Sequence, residues 1–206
     1  MTLSAIAKRR QAQLEALIDA AEARIIAEGV ASLKARDLAS DIGVALGGLY
    51  NIVADMDMLL LKVAQRTMER LDAALEAGAA SVVADTPRAA ITQLVAIAHA
   101  YYDFSRNNLR LWRALFEMRL KNPDLPEWNR QAQLGLFRHM NAPLARLRPE
   151  ADEVARTLTA RTLFAAVHGV VVIGLEERLI AVPAAAMKQQ IEWLVRAACE
   201  GFVSPA

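Results

Sequence analysis

The stretch Gly29–Leu60, GVASLKARDLASDIGVALGGLYNIVADMDMLL, sets two short helical segments around a glycine turn and then opens a longer helix. That order is how a helix-turn-helix is written, and its chemistry is recognition of double-stranded DNA: one short helix enters the major groove while another crosses the backbone. Residues that could do covalent or metal chemistry are sparse. His99, His139 and His168 fall in separate predicted helices, Cys199 is the single cysteine, and no carboxylate stands at ligand spacing from them. No glycine-rich phosphate loop or nucleophile elbow occurs, so the expectation is no metal, no cofactor and no enzyme. A second concentration is aromatic and Met-rich: Tyr101, Tyr102, Phe104, Trp112, Phe116, Met118, Trp128, Phe137 and Met140. Such side chains on several helices can wall a cavity for an apolar small molecule, or simply fill a core.

The elements that must position these residues are helical. The chain has 206 residues, 55% of them hydrophobic, with few glycines and prolines, which favours a helical globular protein. A net charge of +1 argues against a general nucleic-acid coat and leaves room for a locally basic surface. The spacing of Leu14, Leu17, Ile18, Ala21 and Ile25 predicts a helix over 11–27 that stops at Gly29. Short helices are predicted over 34–41 and 45–51 with Gly43 making the turn between them, and Asp55 caps the next, longer helix. Further on, Pro87 starts a helix, Asn107 and Asn108 end it, and Asn122, Pro123 and Pro126 mark a loop. One helix then runs to about Leu147, Pro149 opens another that extends to about Arg178, and Pro183 precedes the last. No segment alternates with period two, so no sheet is expected. The longest apolar run, Leu163–Leu175, reads as a buried helix too short to span a bilayer. The lone cysteine and the lack of a secretory signal point to the cytoplasm, with no membrane partner.

Laid out in order, Gly29, Leu38-Ala39, Gly43-Val44, Gly47, Leu49-Tyr50 and Leu59-Leu60 resemble the N-terminal domain of the TetR family of bacterial transcriptional regulators. The resemblance implies an all-α homodimer. Residues 1–54 would form the three-helix DNA-binding domain, and residues 55–206 a larger helical domain for effector binding and dimerisation. Carried onto this chain, the family's DNA contacts fall on Ala45, Leu46, Gly48, Tyr50 and Asn51, with Lys34 and Arg36 on the preceding helix. Arg36 and the Tyr50 hydroxyl would hold phosphates, Leu46 would pack on thymine methyls, and Asn51 would pair with a base edge or phosphate. The chain departs from the family pattern at Ala45, where a capping Ser or Thr is usual and about 1 kcal/mol of helix stabilisation is lost. It departs again at Val53, where an aromatic is usual, and at Met56, where a lysine usually reaches a phosphate. Over the first fifty-odd residues Lys8, Arg9, Arg10, Arg24, Lys34 and Arg36 balance Glu15, Asp19, Glu22, Glu28, Asp37 and Asp41, so a shallow salt dependence of DNA binding is expected.

In the larger domain, LFAAVHGV at 163–170 with YYDF at 101–104 looks like a TetR subgroup with a Trp-His-Gly signature. Val167 stands in place of the tryptophan, while His168 and Gly169 remain. The expected effector pocket draws on Tyr101, Phe104, Trp112, Phe116, Phe137 and His168, and its ligand would be a small apolar or aromatic molecule. Helices beyond Leu158 and around Ile191, Trp193, Leu194, Val195 and Ala198 are apolar on more than one face, which a second copy would bury in an isologous interface. The expected function is a ligand-responsive repressor that binds a palindromic operator as a dimer. The alternative is a helical binding protein of the same fold with weakened or lost operator recognition.

Overall fold

The computed structural model describes residues 5–120, 125–176 and 180–203. The regular structure among them is all helical: α1 Ala5–Glu28, a 3-10 turn Val30–Ser32, α2 Ala35–Asp41, α3 Leu46–Ile52, α4 Met56–Ala80, α5 Pro87–Asn107, α6 Leu109–Glu117, α7 Glu127–Gly135, α8 Arg138–Leu147, α9 Glu153–Leu175 and α10 Met187–Val203. The loop signals at Asn122 and Pro123 and the helix end expected at Arg178 lie outside the described residues. The chain divides into two compact units, one of residues 1–68 with 110–129 and the other of 69–109 with 130–206. The segment 1–54, expected to bind DNA, lies in the first unit, which also takes in the start of α4 and nearly all of α6.

Local chemistry sets the helix ends. Gly29 adopts φ 89° after α1, a left-handed value that halts the helix at low cost. Asp55 accepts a hydrogen bond from the Met58 backbone N–H at 2.7 Å, capping α4. Thr86 accepts from Ala89 N at 3.1 Å with Pro87 in the first turn of α5. Asp152 accepts from Ala155 N at 2.8 Å, so α9 begins at Glu153 and Pro149 sits in the turn before it rather than at its start.

Two expectations about helices change. The single helix expected up to Leu147 is two, α7 and α8, broken at Leu136 and Phe137, and Pro143 lies inside α8. The run Leu163–Leu175 belongs to a helix of 23 residues, long and apolar enough by length and composition to cross a membrane. It is not buried all round either: Thr159, Ala160, Leu163, Val167 and Val171 face the core, whereas Val154, Leu158 and Ile173 are exposed. Within the second unit, α9 and α10 meet closely at Gly174, where a Cβ would lie 2.7 Å from Met187 Sδ. Gly78 of α4 stands against Ala96 and Ala100 of α5 in the same way.

Candidate functional site

The first unit holds the helix-turn-helix on one hydrophobic core. Leu17, Ile18, Ala21 and Ile25 of α1 meet Leu38 and Ala39 of α2, Leu49 and Ile52 of α3 with Val53 just beyond it, Leu59 and Val63 of α4, and Leu111 and Ala114 of α6. The turn between α2 and α3 needs Gly43, at φ 68°, and is closed by Val44 N donating to Ala39 O at 2.9 Å. Ala45 is the N-cap of α3 and offers no side-chain hydrogen bond to the exposed N–H groups of that helix. Val53 is buried, and Met56 packs half-buried against the core instead of reaching outward.

The spacing along α3 sorts its residues. Leu49 and Ile52 turn inward, so Leu46 and Tyr50, four residues apart on the other side, are left 40% and 47% exposed. Asn51, Ala45 and Gly47 are exposed as well. Gly48 is half-buried, and a Cβ there would lie 3.4 Å from the Val44 side chain, so its smallness serves packing inside the turn. Lys34, the N-cap residue of α2, and Arg36 in its first turn are both exposed, and neither takes part in an ion pair among the described residues.

Ion pairing redistributes the charge of this unit. Arg24 of α1 donates to both oxygens of Asp41, at 2.5 and 2.9 Å, and stands 3.9 Å from Asp37, so Asp37 answers to Arg24 rather than to its neighbour Arg36. The hydrogen bond from Arg24 holds the Asp41 carboxyl below its ordinary range. Arg66 of α4 gathers three acids of α1: it binds Glu15, meets Asp19 at 2.5 Å and lies 3.6 Å from the buried Glu22. Those acids recur at four- and three-residue intervals, which places them on one face of the helix. Arg110 of α6 donates to the carbonyls of Ile26 and Ala27, satisfying the C-terminal end of α1. None of these partners was apparent in sequence, because Arg66 and Arg110 lie far along the chain from α1.

The expected pocket residues separate by unit. Trp112, buried, and Phe116, largely exposed, belong to the first unit and meet edge to face at 5.5 Å. Tyr101, Phe104, Phe137 and His168 belong to the second. There Tyr101 Oη lies 2.6 Å from His168 Nδ1. Phe164, missed in the sequence although it stands one helical turn before His168, joins the group: its ring stacks on His168 at 5.3 Å and takes Tyr101 and Phe137 edge-on, each at 5.5 Å. Burial holds the His168 imidazole below its ordinary pKa, which favours the neutral ring at pH 7. Phe104 is buried on the same helix as Tyr101. Asp72 of α4 forms a further polar hub in this unit, bound through both oxygens by Arg138 at 2.5 Å and by His139 Nε2 at 2.9 Å.

A family model described as "Tetracyclin repressor-like, C-terminal domain" matches residues 94–198. No curated protein matches the chain by sequence. Among solved structures, a protein of unknown function from Rhodococcus sp. RHA1 is similar over 93% of both chains, with 22% identity and a TM-score of 0.69. RolR in complex with resorcinol is similar over 97% of both chains, with 17% identity and a TM-score of 0.63. A TetR transcriptional regulator from Rhodococcus sp. RHA1 matches over 95% of this chain and 97% of its own, at 16% identity and a TM-score of 0.59. At such identities these likenesses establish a shared fold.

Proposed function

The chain belongs to the TetR family of transcriptional regulators, and on that premise we propose that it is a repressor whose dimer binds a palindromic operator until a small apolar or aromatic effector releases it. The observation that carries the reading is the edge of α3: Leu46 and Tyr50 stand out from a short helix whose other side is locked in the core. In this reading Lys34, Arg36 and the Tyr50 hydroxyl bind phosphates, Leu46 packs on thymine methyls, and Asn51 contacts a base edge. Ala45 and Gly48 keep the start of α3 slim enough to enter the groove. Residues 1–54 read DNA, and 55–206 bind the effector and pair the subunits.

The dimer face is supported by the outward stripe Val154, Leu158, Ala165, Ala166 and Ile173 on α9, together with Trp193, 65% exposed, on α10. An apolar stripe of this length on a regulator of DNA is best buried by its own copy, and a two-fold interface matches a two-fold operator. Such a regulator works in the cytoplasm and is not an enzyme. The effector site centres on Tyr101, Phe137 and His168 with Phe164, and Phe104 of the same unit contributes to its apolar walls. A flat ring stacked against this cluster suits its geometry. One structural neighbour was solved with resorcinol, an arene of that kind.

The switch requires the effector to bind the two dimer geometries with different affinity. A gel shift on the DNA upstream of the chain's own gene tests the proposal. A sequence-selective shift is expected, and a Leu46→Ala, Tyr50→Ala double variant should weaken it by about tenfold or more. No selective shift on that or neighbouring promoters would overturn operator binding and favour a helical binding protein that has lost it. That second reading rests on the uncapped Ala45 and on Met56, turned into the core where a phosphate-binding lysine would reach out.

A further inference from the structure

We propose that the second unit carries a separate site for a free monocarboxylate with an apolar tail, in the hollow between Tyr102 and Arg106 of α5, the end of α9 and the segment that leads into α10. The hollow has a volume of about 530 Å³, and its walls include Tyr102, Leu109, Leu175, Val182 and Pro183. That volume is in the range of small-molecule sites, and the walls are mainly apolar. Among the described residues, Arg106 is the one charged side chain lining it.

The state of Arg106 points to the ligand's head group. Its guanidinium rests over the Tyr102 ring, 5.7 Å from the centroid, which holds it at the wall. Among the described residues, the acid paired with it, Asp103, is 3.9 Å away, beyond hydrogen-bond reach, and is bound instead by Lys188 at 2.6 Å. Arg106 makes no hydrogen bond among the described residues, so its planar fork of N–H donors is unspent. Its place in the last turn of α5 accounts for its charge, which complements the helix end, but leaves those donors without acceptors. Lys188, Asp103 and Arg106 together carry a net positive charge beside an apolar hollow. A carboxylate matches the fork in a two-point hydrogen bond, and an alkyl tail matches the walls. The site is not the aromatic cluster: Tyr101 belongs to that group and Tyr102, the next residue, lines the hollow, because successive helical residues point about 100° apart.

Isothermal titration of the full chain with sodium decanoate and with 1-decanol tests the assignment. Decanoate should bind, with 1-decanol weaker by about tenfold or more, since a neutral alcohol loses the charged fork. Arg106→Met, a change at an exposed side chain, should weaken decanoate by a similar factor. Ala181→Trp, which fills the hollow, should abolish binding, and His168→Leu should leave it unchanged. Failure of decanoate to bind overturns the proposal. So does binding that survives Arg106→Met or Ala181→Trp, and so does binding lost with His168→Leu, which would move the ligand to the aromatic cluster. None of these outcomes bears on operator recognition, which the gel shift decides separately.

Discussion

The two units each build an ionic hub on α4, and the hubs are opposites. In the first, one cation, Arg66, serves three acids of α1, with Glu22 buried among them. In the second, one acid, Asp72, serves two bases, Arg138 and His139, and Arg138 is about half exposed. Burial works against the charge of Arg66, yet Asp19, Glu22 and Glu15 outweigh it and raise its pKa. Burial likewise works against the Asp72 carboxylate, and the hydrogen bonds from Arg138 and His139 outweigh it and lower its pKa. The difference teaches where charge is indispensable. Removing a cation from beside a buried acid is costly, whereas an exposed arginine that loses its acid returns to water. The first hub also changes the electrostatics of the unit that holds the helix-turn-helix. Arg24 pairs with Asp37 and Asp41, and Arg66, from further along the chain, pairs with three α1 acids, so the paired groups keep a negative excess while Lys8, Arg9, Arg10, Lys34 and Arg36 stand outside these pairs with Glu28.

The largest effect should come from Arg66→Met. It keeps the packing stem but removes the cation shared by Glu15, Asp19 and the buried Glu22, and should cost about 2 kcal/mol, read as a lower urea midpoint and a melting temperature lower by roughly 5 °C. Adding Glu22→Gln should recover part of that loss, because an amide needs no cation. A loss below about 0.5 kcal/mol would mean that the hub is an ordinary surface cluster and would break the contrast between the units.

Asp72→Asn should cost less, about 1 kcal/mol, because the amide oxygen still accepts a hydrogen bond and Arg138 is solvated. Thermal unfolding of the two variants side by side tests the ordering. A larger loss from Asp72→Asn than from Arg66→Met would reverse it and make the second hub the anchor of α4.

Much of this was legible in the sequence, and the reasons are local. Gly43, Leu49 and Asp55 specify the turn, the buried side of α3 and the cap of α4 through residues within a few positions of one another. The extra break at Leu136 and Phe137 was not legible, because the apolar pattern continues across it and no proline marks it. The hubs were hidden for a different reason: Arg66 meets Glu15 across 51 positions and Arg138 meets Asp72 across 66. Charge counted in a window therefore balanced, but the count could not show that the acids gather around Arg24 and Arg66 while most of the cations stand outside those pairs. The shallow salt dependence expected from the balanced count is accordingly a strict test. A steep fall of operator affinity with salt would show that the cations left over by pairing engage phosphates. In the aromatic cluster, Tyr101 and His168 stood out as polar groups in apolar helices, whereas Phe164, which packs on both, looked like any core aromatic.

The smallest expected effect separates the hub from the aromatic cluster by pH. His168 has its pKa lowered by burial from an ordinary 6.5, so the unfolded chain binds its proton first as pH falls. The contribution of neutral His168 is therefore complete above about pH 6.5 and is lost as pH drops through the lower folded value. Asp72, lowered from 3.8, loses its contribution by the same sign but in a more acidic window, as pH falls through its own folded value. Melting temperatures of the wild type should thus decline in two separable steps, a slight one just below neutrality and a larger one in strong acid. Replacing His168 with Gln should remove the first step and leave the second, and Asp72→Asn should leave the first and diminish the second, to which Asp41 also contributes. If His168→Gln leaves the near-neutral step unchanged, its burial beside Phe164 does not govern titration there, and the neutral imidazole loses its place in the effector site.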